Sequence, residues 1–369
     1  MLIISQSACG INQGGGSSSG SGSSSGASSQ DTTVTSSGDG YTYGEDWLLN
    51  TYCYIKVFEN GKEQEIKDAF KMARGLENKL SRTIDSSVVS EFNRAGTDTG
   101  ISIFSEDNIN FADVLTTALS FAEKTDGLFD PTIGAVSSLW DFTAEDPVLP
   151  EAEAINAALS HIGYEKVLMG IDGRVNKSEE GVMLDLGAIA KGYIADKTAE
   201  FLDAKGIKSA IISLGGNIVL IGTKPDKSAW KVGIEKPFSG NQDEVLENRE
   251  SVGVVSWSGD GFYSVVTSGT YERCFEKDGK LYHHVLDPKT GYPKDTDLIS
   301  VTITGPSSTY CDALSTACLL MGSDKVDAFM KEFNKSLSPD QAGSGIYEYV
   351  MIKADGSIIA SDDAAFRLK

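Results

Sequence analysis

Apolar and polar residues alternate through residues 51–58, TYCYIKVF, which predicts a half-buried strand. The spacing then changes. Residues 62–81, KEQEIKDAFKMARGLENKLS, carry apolar side chains at helical intervals, whereas residues 81–96 show no period and read as a loop. A second helix is expected over 107–125. A third falls in EAEAINAALSHIG, residues 151–163, with His161 near its end as a surface or capping residue. The middle of the chain reads strand, turn, helix, strand. The strand VMLDL ends at Asp185, and the helix over 187–206 follows, with Ala190, Ile194 and Phe201 on one face and Gly206 as its stop. Two short strands flank the Gly-Gly pair within residues 208–222. More β-type runs follow at 230–235, 251–257, 263–269 and 298–305, before helices over 311–322 and 324–334. Such a mixture, without a regular repeat, points to an α+β fold rather than an orderly parallel sheet.

Composition narrows the functions. The chain has 369 residues, 40% of them hydrophobic and 23% charged, enough for a sizeable core. With 53 acidic against 32 basic residues the formal net charge is −21, so no basic face for nucleic acid is visible. An anionic ligand must then be held by local groups: a metal ion, a helix N-terminus, or single Lys and Arg side chains. Five cysteines, at 9, 53, 274, 311 and 318, form neither a disulfide scaffold nor a CxxC zinc pattern, and four of them remain open as thiols or bridges. No run of about 18 apolar residues occurs.

The first forty residues stand apart. MLIISQSACG, residues 1–10, reads as a signal-peptide remnant and resembles a lipobox, in which Cys9 would be lipid-modified. Residues 11–40 are rich in Gly and Ser, predict a flexible coil spanning about 30 Å, and would serve as a tether. The folded part is expected from Tyr41 to the end of the chain.

Five stretches carry groups fit for chemistry. In LDLGAIAKGYIADK, residues 184–197, Asp185 stands before a helix start whose free N–H groups, with Lys191 one turn in, suit an anion; this is neither GxGxxG nor a Walker loop. In CDALSTACLLMG, residues 311–322, Asp312 and Thr316 are four apart, so their oxygens project from one helix face. That pair suits a hard cation; a carboxylate placed for the helix dipole and a packed threonine explain the same residues. GLFDPTIG, residues 127–134, sets Phe129 and Asp130 before a proline turn. TSGTYERCF, residues 267–275, offers Ser268 and Arg273. Finally YHHVLDPKTGYP, residues 282–293, holds two of the three histidines.

These pieces occur in the order found in the FAD:protein FMN transferases, the ApbE family, which the chain resembles. The matching stretches are LSRTIDSSVVSEFN, GLFDPTIGAVSSLW, LDLGAIAKGYIADK, SLGGNI, WKVGIEKP, TSGTYERCF, HHVLDPKTGYP and CDALSTACLLMG, collinear from about residue 45 to 323. The resemblance implies a single large catalytic domain over 41–369, of mixed, mainly antiparallel sheets with packed helices. It implies an enzyme that binds FAD with a divalent metal, usually Mg²⁺, and passes FMN to a threonine hydroxyl of an extracytoplasmic flavoprotein, releasing AMP. The acceptor would be a subunit of a membrane redox complex or a similar protein, and the chain would meet the membrane only through a lipid at Cys9. By the same resemblance Asp312, Thr316 and the Ala188 carbonyl hold the metal, Asp185 and Lys191 contact FAD, and Leu128, Phe129 and Asp130 line the flavin site. Ser268 and Arg273 join that lining. Leu49 sits where many relatives have Met, and Thr83 where others have an aromatic ring. His284 is the family's histidine and His283 its neighbour; His284 or metal-bound Asp312 handles the hydroxyl proton. An FAD pyrophosphatase would use the same site with water, and a surface lipoprotein that only binds flavin is a third reading.

Overall fold

Two central strands are buried at every position, and the architecture explains why. The computed structural model describes residues 2–3, 32–37, 39–103, 105, 108–238, 250–338 and 345–369. Nine strands form one sheet: β1 (Thr33–Ser37), β2 (Tyr41–Leu48), β3 (Thr51–Val57), β4 (Ala210–Leu214), β5 (Asn217–Ile221), β6 (Phe262–Gly269), β7 (Leu298–Gly305), β8 (Glu348–Lys353) and β9 (Ile358–Ala360). Their spatial order is their sequence order, and every pairing is antiparallel. The sheet is thus a meander in strand order, with long insertions between β3 and β4, between β5 and β6 and between β7 and β8.

Both of its faces are covered near the middle. Helices α1 (Glu63–Leu80), α2 (Ala190–Ala204) and α3 (Ser308–Met321) lie on one face, where Ile55, Ile212, Val219, Val266 and Ile303 join the main core. On the other face Ile211, Ile218, Leu220, Val265 and Val350 pack against Trp230, Val232 and Phe366 of a smaller sheet. That sheet contains Trp230–Glu235, Ser251–Trp257 and Phe366–Leu368, with Leu2–Ile3 at its edge. Strands buried on both sides lose the polar half of the alternation, hence AIISL and NIVLI. Between them Gly215 and Gly216 both have positive φ and close the two-residue hairpin that the Gly-Gly pair predicts. Helix α2 ends as expected: Gly206 is left-handed, and Ile207 N–H reaches back to the Leu202 carbonyl oxygen.

The structure departs from the sequence reading in four places. Residues 81–96 contain a helix, Val88–Arg94, which buries Val88, Val89 and Phe92; the Ser87 hydroxyl caps it by accepting from Ser90 N–H. VMLDL is buried and extended but not a strand. Its backbone is satisfied by the Asn93 side chain, which bonds both the N–H and the carbonyl of Leu184, and by Pro131. Helix α2 begins at Ala190, three residues later than the reading placed it. The stretch read as flexible coil falls mostly outside the described residues, but its end differs: Thr33–Ser37 is β1, paired with β2. Cys53, Cys274, Cys311 and Cys318 are free thiols, all buried. His161 lies just past its helix as a partly exposed surface residue, as expected, with its ring 3.3 Å from a Glu179 carboxylate oxygen. Among the described residues no helix is long and apolar enough to cross a membrane.

Candidate active site

Helices α2 and α3 cross so closely that only glycine fits at 192, where a Cβ would lie 2.2 Å from the Ser308 carbonyl oxygen. There the Gly192 N–H donates to Asp312 Oδ2 at 2.8 Å. The N-terminus of α3 is tied to α2 by Asp196, which accepts from the Ser307 and Thr309 hydroxyls and from the Ser308 and Thr309 N–H groups. The start of α2, the inner face of α3 and the end of β6 thereby meet at one cleft of about 300 Å³, at the lower bound of about 300–1,000 Å³ usual for small-molecule pockets.

The residues assigned to metal, flavin or proton chemistry from the sequence all line this cleft: Leu49, Leu128, Phe129, Asp130, Asp185, Ala188, Lys191, Ser268, Arg273, His284, Asp312 and Thr316. Their surroundings differ. Asp312 is nearly inaccessible, and burial raises its carboxyl pKa against the opposing pull of Lys191 and the Gly192 N–H. Thr316, one turn on, lies 3.2 Å from the Ser268 hydroxyl, which also bonds Ser315 at 2.7 Å. Two aspartates already have their oxygens engaged. Asp130 accepts from Thr132 N–H and hydroxyl and from Tyr164 N–H. Asp185 accepts from Arg82 Nε at 2.7 Å, from the Ser137 hydroxyl and from Gly187 N–H. Helix α2 has no cap from its own N-cap residue; Ala190 N–H is taken by the Leu186 carbonyl and Gly192 N–H by Asp312, so Lys191 is the first-turn residue left to face the cleft.

The paired histidines separate by strand geometry. His283 ends the strand Lys280–His283 and turns inward, where burial pushes its imidazole down to about 4. His284 faces the cleft instead. Its main-chain N–H donates to the Arg273 carbonyl, and its Nδ1 lies 3.3 Å from the same oxygen. Burial first, then Arg273, His283 and Lys191, holds its pKa well below the ordinary value. The turn behind it is rigid: Asp287 pairs with Lys294 at 2.7 Å, and Trp140 Nε1 donates to the Gly291 carbonyl. At Gly291 φ is positive, and a Cβ would strike Ile155.

Sequence reasoning missed several lining residues. Arg82 is held by Asp185 where the reading saw only a loop. Glu77 accepts the Leu49 N–H at 2.8 Å and steadies a two-residue turn, Leu49–Asn50, in which both residues have positive φ. Glu272 is buried in the cleft, and its pKa is raised to about 7. The helical spacing of α1 marks Glu77 as a face residue, but nothing in the pattern around Glu272 separates it from a surface acid.

Titratable groups displaced from their ordinary values, gathered in one concave cleft, mark an enzyme's active site. The particular family follows from comparison. Its model, the ApbE family, matches residues 49–338, and the chain belongs to that family. A Treponema pallidum protein named FAD:protein FMN transferase is 36% identical over 304 residues, 78% of this chain and 80% of that one. Its Haemophilus influenzae namesake is 28% identical over 329 residues, 86% and 88% of the two chains. The crystal structure of the ApbE protein of Thermotoga maritima superposes with a TM-score of 0.73 at 31% identity, covering 87% of this chain and 97% of that one. The flavin transferase ApbE from Vibrio cholerae gives 0.71 at 25% identity with the same coverage.

Proposed function

We propose that the chain transfers FMN from FAD to a threonine hydroxyl of an acceptor flavoprotein and releases AMP. The names of the relatives support the reaction. The observation that carries it is the convergence on one cleft of Lys191, Arg273 and His284 with the oxygens of Asp312 and Thr316 and with apolar Leu49, Leu128 and Phe129. In a molecule of net charge −21, that is where a dinucleotide's pyrophosphate finds local positive charge.

The donor set fits a hard cation such as Mg²⁺: a desolvated carboxylate at Asp312, a hydroxyl one turn away at Thr316, and the Ala188 carbonyl at the head of α2. Among the described residues no three His, Cys, Asp or Glu side chains converge as a metal cluster, so the main-chain and hydroxyl oxygens are needed to complete the shell. When bound, the ion would neutralise phosphate charge and stabilise the leaving group. Lys191, at the positive end of the α2 dipole, would hold the phosphates. The neutral imidazole of His284 is able to take the hydroxyl proton as the oxygen attacks the FMN phosphorus and the bond to AMP breaks. Asp185, fully engaged, would fix Arg82 toward the ligand.

Cys9 lies outside the described residues; we place it as the lipid anchor of an extracytoplasmic enzyme, with an acceptor in a membrane redox complex. Incubation with FAD, magnesium chloride and an acceptor domain, followed by mass spectrometry, tests the reaction. A threonine-borne FMN adduct plus AMP is expected. Free FMN and AMP alone would make the chain a pyrophosphatase, and intact FAD would make it a binding protein.

A further inference from the structure

Glu272 is a buried carboxylate of the cleft to which the reaction above gives no task. It lines the cleft between Gly269, at the end of β6, and the strand Cys274–Lys277, and it is 7% exposed. Its Oε1 accepts the Gly269 N–H at 2.8 Å, which fixes the carboxylate, and its Oε2 lies 3.9 Å from His284 Nε2. On the other side of the ring, Nδ1 faces the Arg273 carbonyl, an oxygen that only accepts. In the neutral ring the hydrogen therefore sits on Nδ1, and the Nε2 lone pair is the one turned toward Glu272.

The charges around the ring make this arrangement consequential. Lys191 and Arg273 face the imidazole and, with burial and the adjoining His283, oppose a positive charge on it. The same two cations act on Glu272, with Asp312 acting in the opposite sense. A base so placed accepts a proton poorly unless a negative charge compensates, and Glu272 is the carboxylate beside Nε2.

We propose that Glu272 and His284 work as a dyad, with Glu272 the positioning residue that orients the ring and balances the charge formed when Nε2 takes the acceptor's hydroxyl proton. This rests on the reading of His284 given above. The proton moves from the hydroxyl oxygen to Nε2, the oxygen bonds to the FMN phosphorus, and the phosphorus–oxygen bond to AMP breaks with its electron pair going to AMP. Glu272 exchanges no atom. Burial places its titration near 7, so a new imidazolium beside it favours the ionised form.

The test uses the full chain with ¹⁵N-labelled histidine. It has three histidines, and His161→Gln and His283→Gln assign the ring signals. His284 is titrated in the unsubstituted chain, in Glu272→Gln and in Glu272→Asp. Loss of the carboxylate is expected to weaken proton binding at His284 about tenfold or more, one pH unit, with Glu272→Asp in between. Identical titrations in the unsubstituted chain and Glu272→Gln overturn the proposal, as does a ring that stays neutral in both down to unfolding. The FMN-transfer rate of His284→Ala is measured alongside. An undiminished rate removes His284 as the proton acceptor and leaves the titration result standing, so the two failures are told apart.

Discussion

His284 is well placed as a proton acceptor because it is neutral, and it is neutral because burial and two nearby cations disfavour its charged form. In the proposed reaction, replacing it with alanine removes the acceptor but none of the groups proposed to hold phosphate. His284→Ala is therefore expected to slow FMN transfer by about 10²–10⁴-fold, the usual scale of proton-transfer assistance, while FAD binding stays close to normal; stopped-flow rates and flavin fluorescence separate the two. Asp312 makes the opposite kind of contribution. Its carboxylate is desolvated at the crossing of α2 and α3, a cost that the proposed cation would offset. Asp312→Asn keeps the shape and loses the charge, so divalent-dependent turnover should disappear. Calorimetry with magnesium chloride should show no binding; full turnover in that variant would sink the proposed metal site. Both residues were legible in the sequence because they sit in stretches whose order matches a family. Glu272 lies in the same TSGTYERCF stretch, yet burial alone gives it meaning, and burial there follows from how a hairpin folds over the end of β6.

At the scale of elements the site depends on two helices meeting through small and polar contacts. A methyl group at 192 would collide with the Ser308 carbonyl and come within 2.8 Å of Asp312 Cβ. Gly192→Ala is thus expected to force α2 and α3 apart and cost about 1–3 kcal/mol, read as a lower urea midpoint together with weakened cation binding. Asp196 holds the other contact, with both oxygens engaged at the N-terminus of α3. Asp196→Ala leaves those donors without partners and should cost about 2–4 kcal/mol; an unfolding midpoint equal to that of the unsubstituted chain would show that the tie carries no stability. Helical periodicity made α1 and α3 legible. Val88–Arg94 was not, because a seven-residue helix spans barely two turns and its cap is a single serine. VMLDL misled for a different reason: it has a strand's composition, but an asparagine side chain supplies the partner that a neighbouring strand would have given.

For the molecule as a whole, the meander sets a two-sided core and leaves the ionisable groups of the cleft buried beside it, so stability and chemistry draw on the same charges. His283 and Glu272 pull in opposite directions. The folded chain holds His283 near 4 against an ordinary 6.5, so between these values the unfolded chain binds the proton more readily and stability falls as pH falls. Glu272 is near 7 against an ordinary 4.5; the folded chain binds that proton more readily, and stability falls as pH rises through the same range. Each contributes a slope of about 1.4 kcal/mol per pH unit, and between 4.5 and 6.5 the two nearly cancel. Single substitutions expose them. Glu272→Gln should make stability fall more steeply on acidification from pH 6.5 to 4.5, by about 3 kcal/mol over the interval. His283→Gln should change the slope by a similar amount with the reverse sign. Urea unfolding at pH 4.5, 5.5 and 6.5 measures both. Parallel curves for the three proteins would mean that neither group changes its proton affinity on folding.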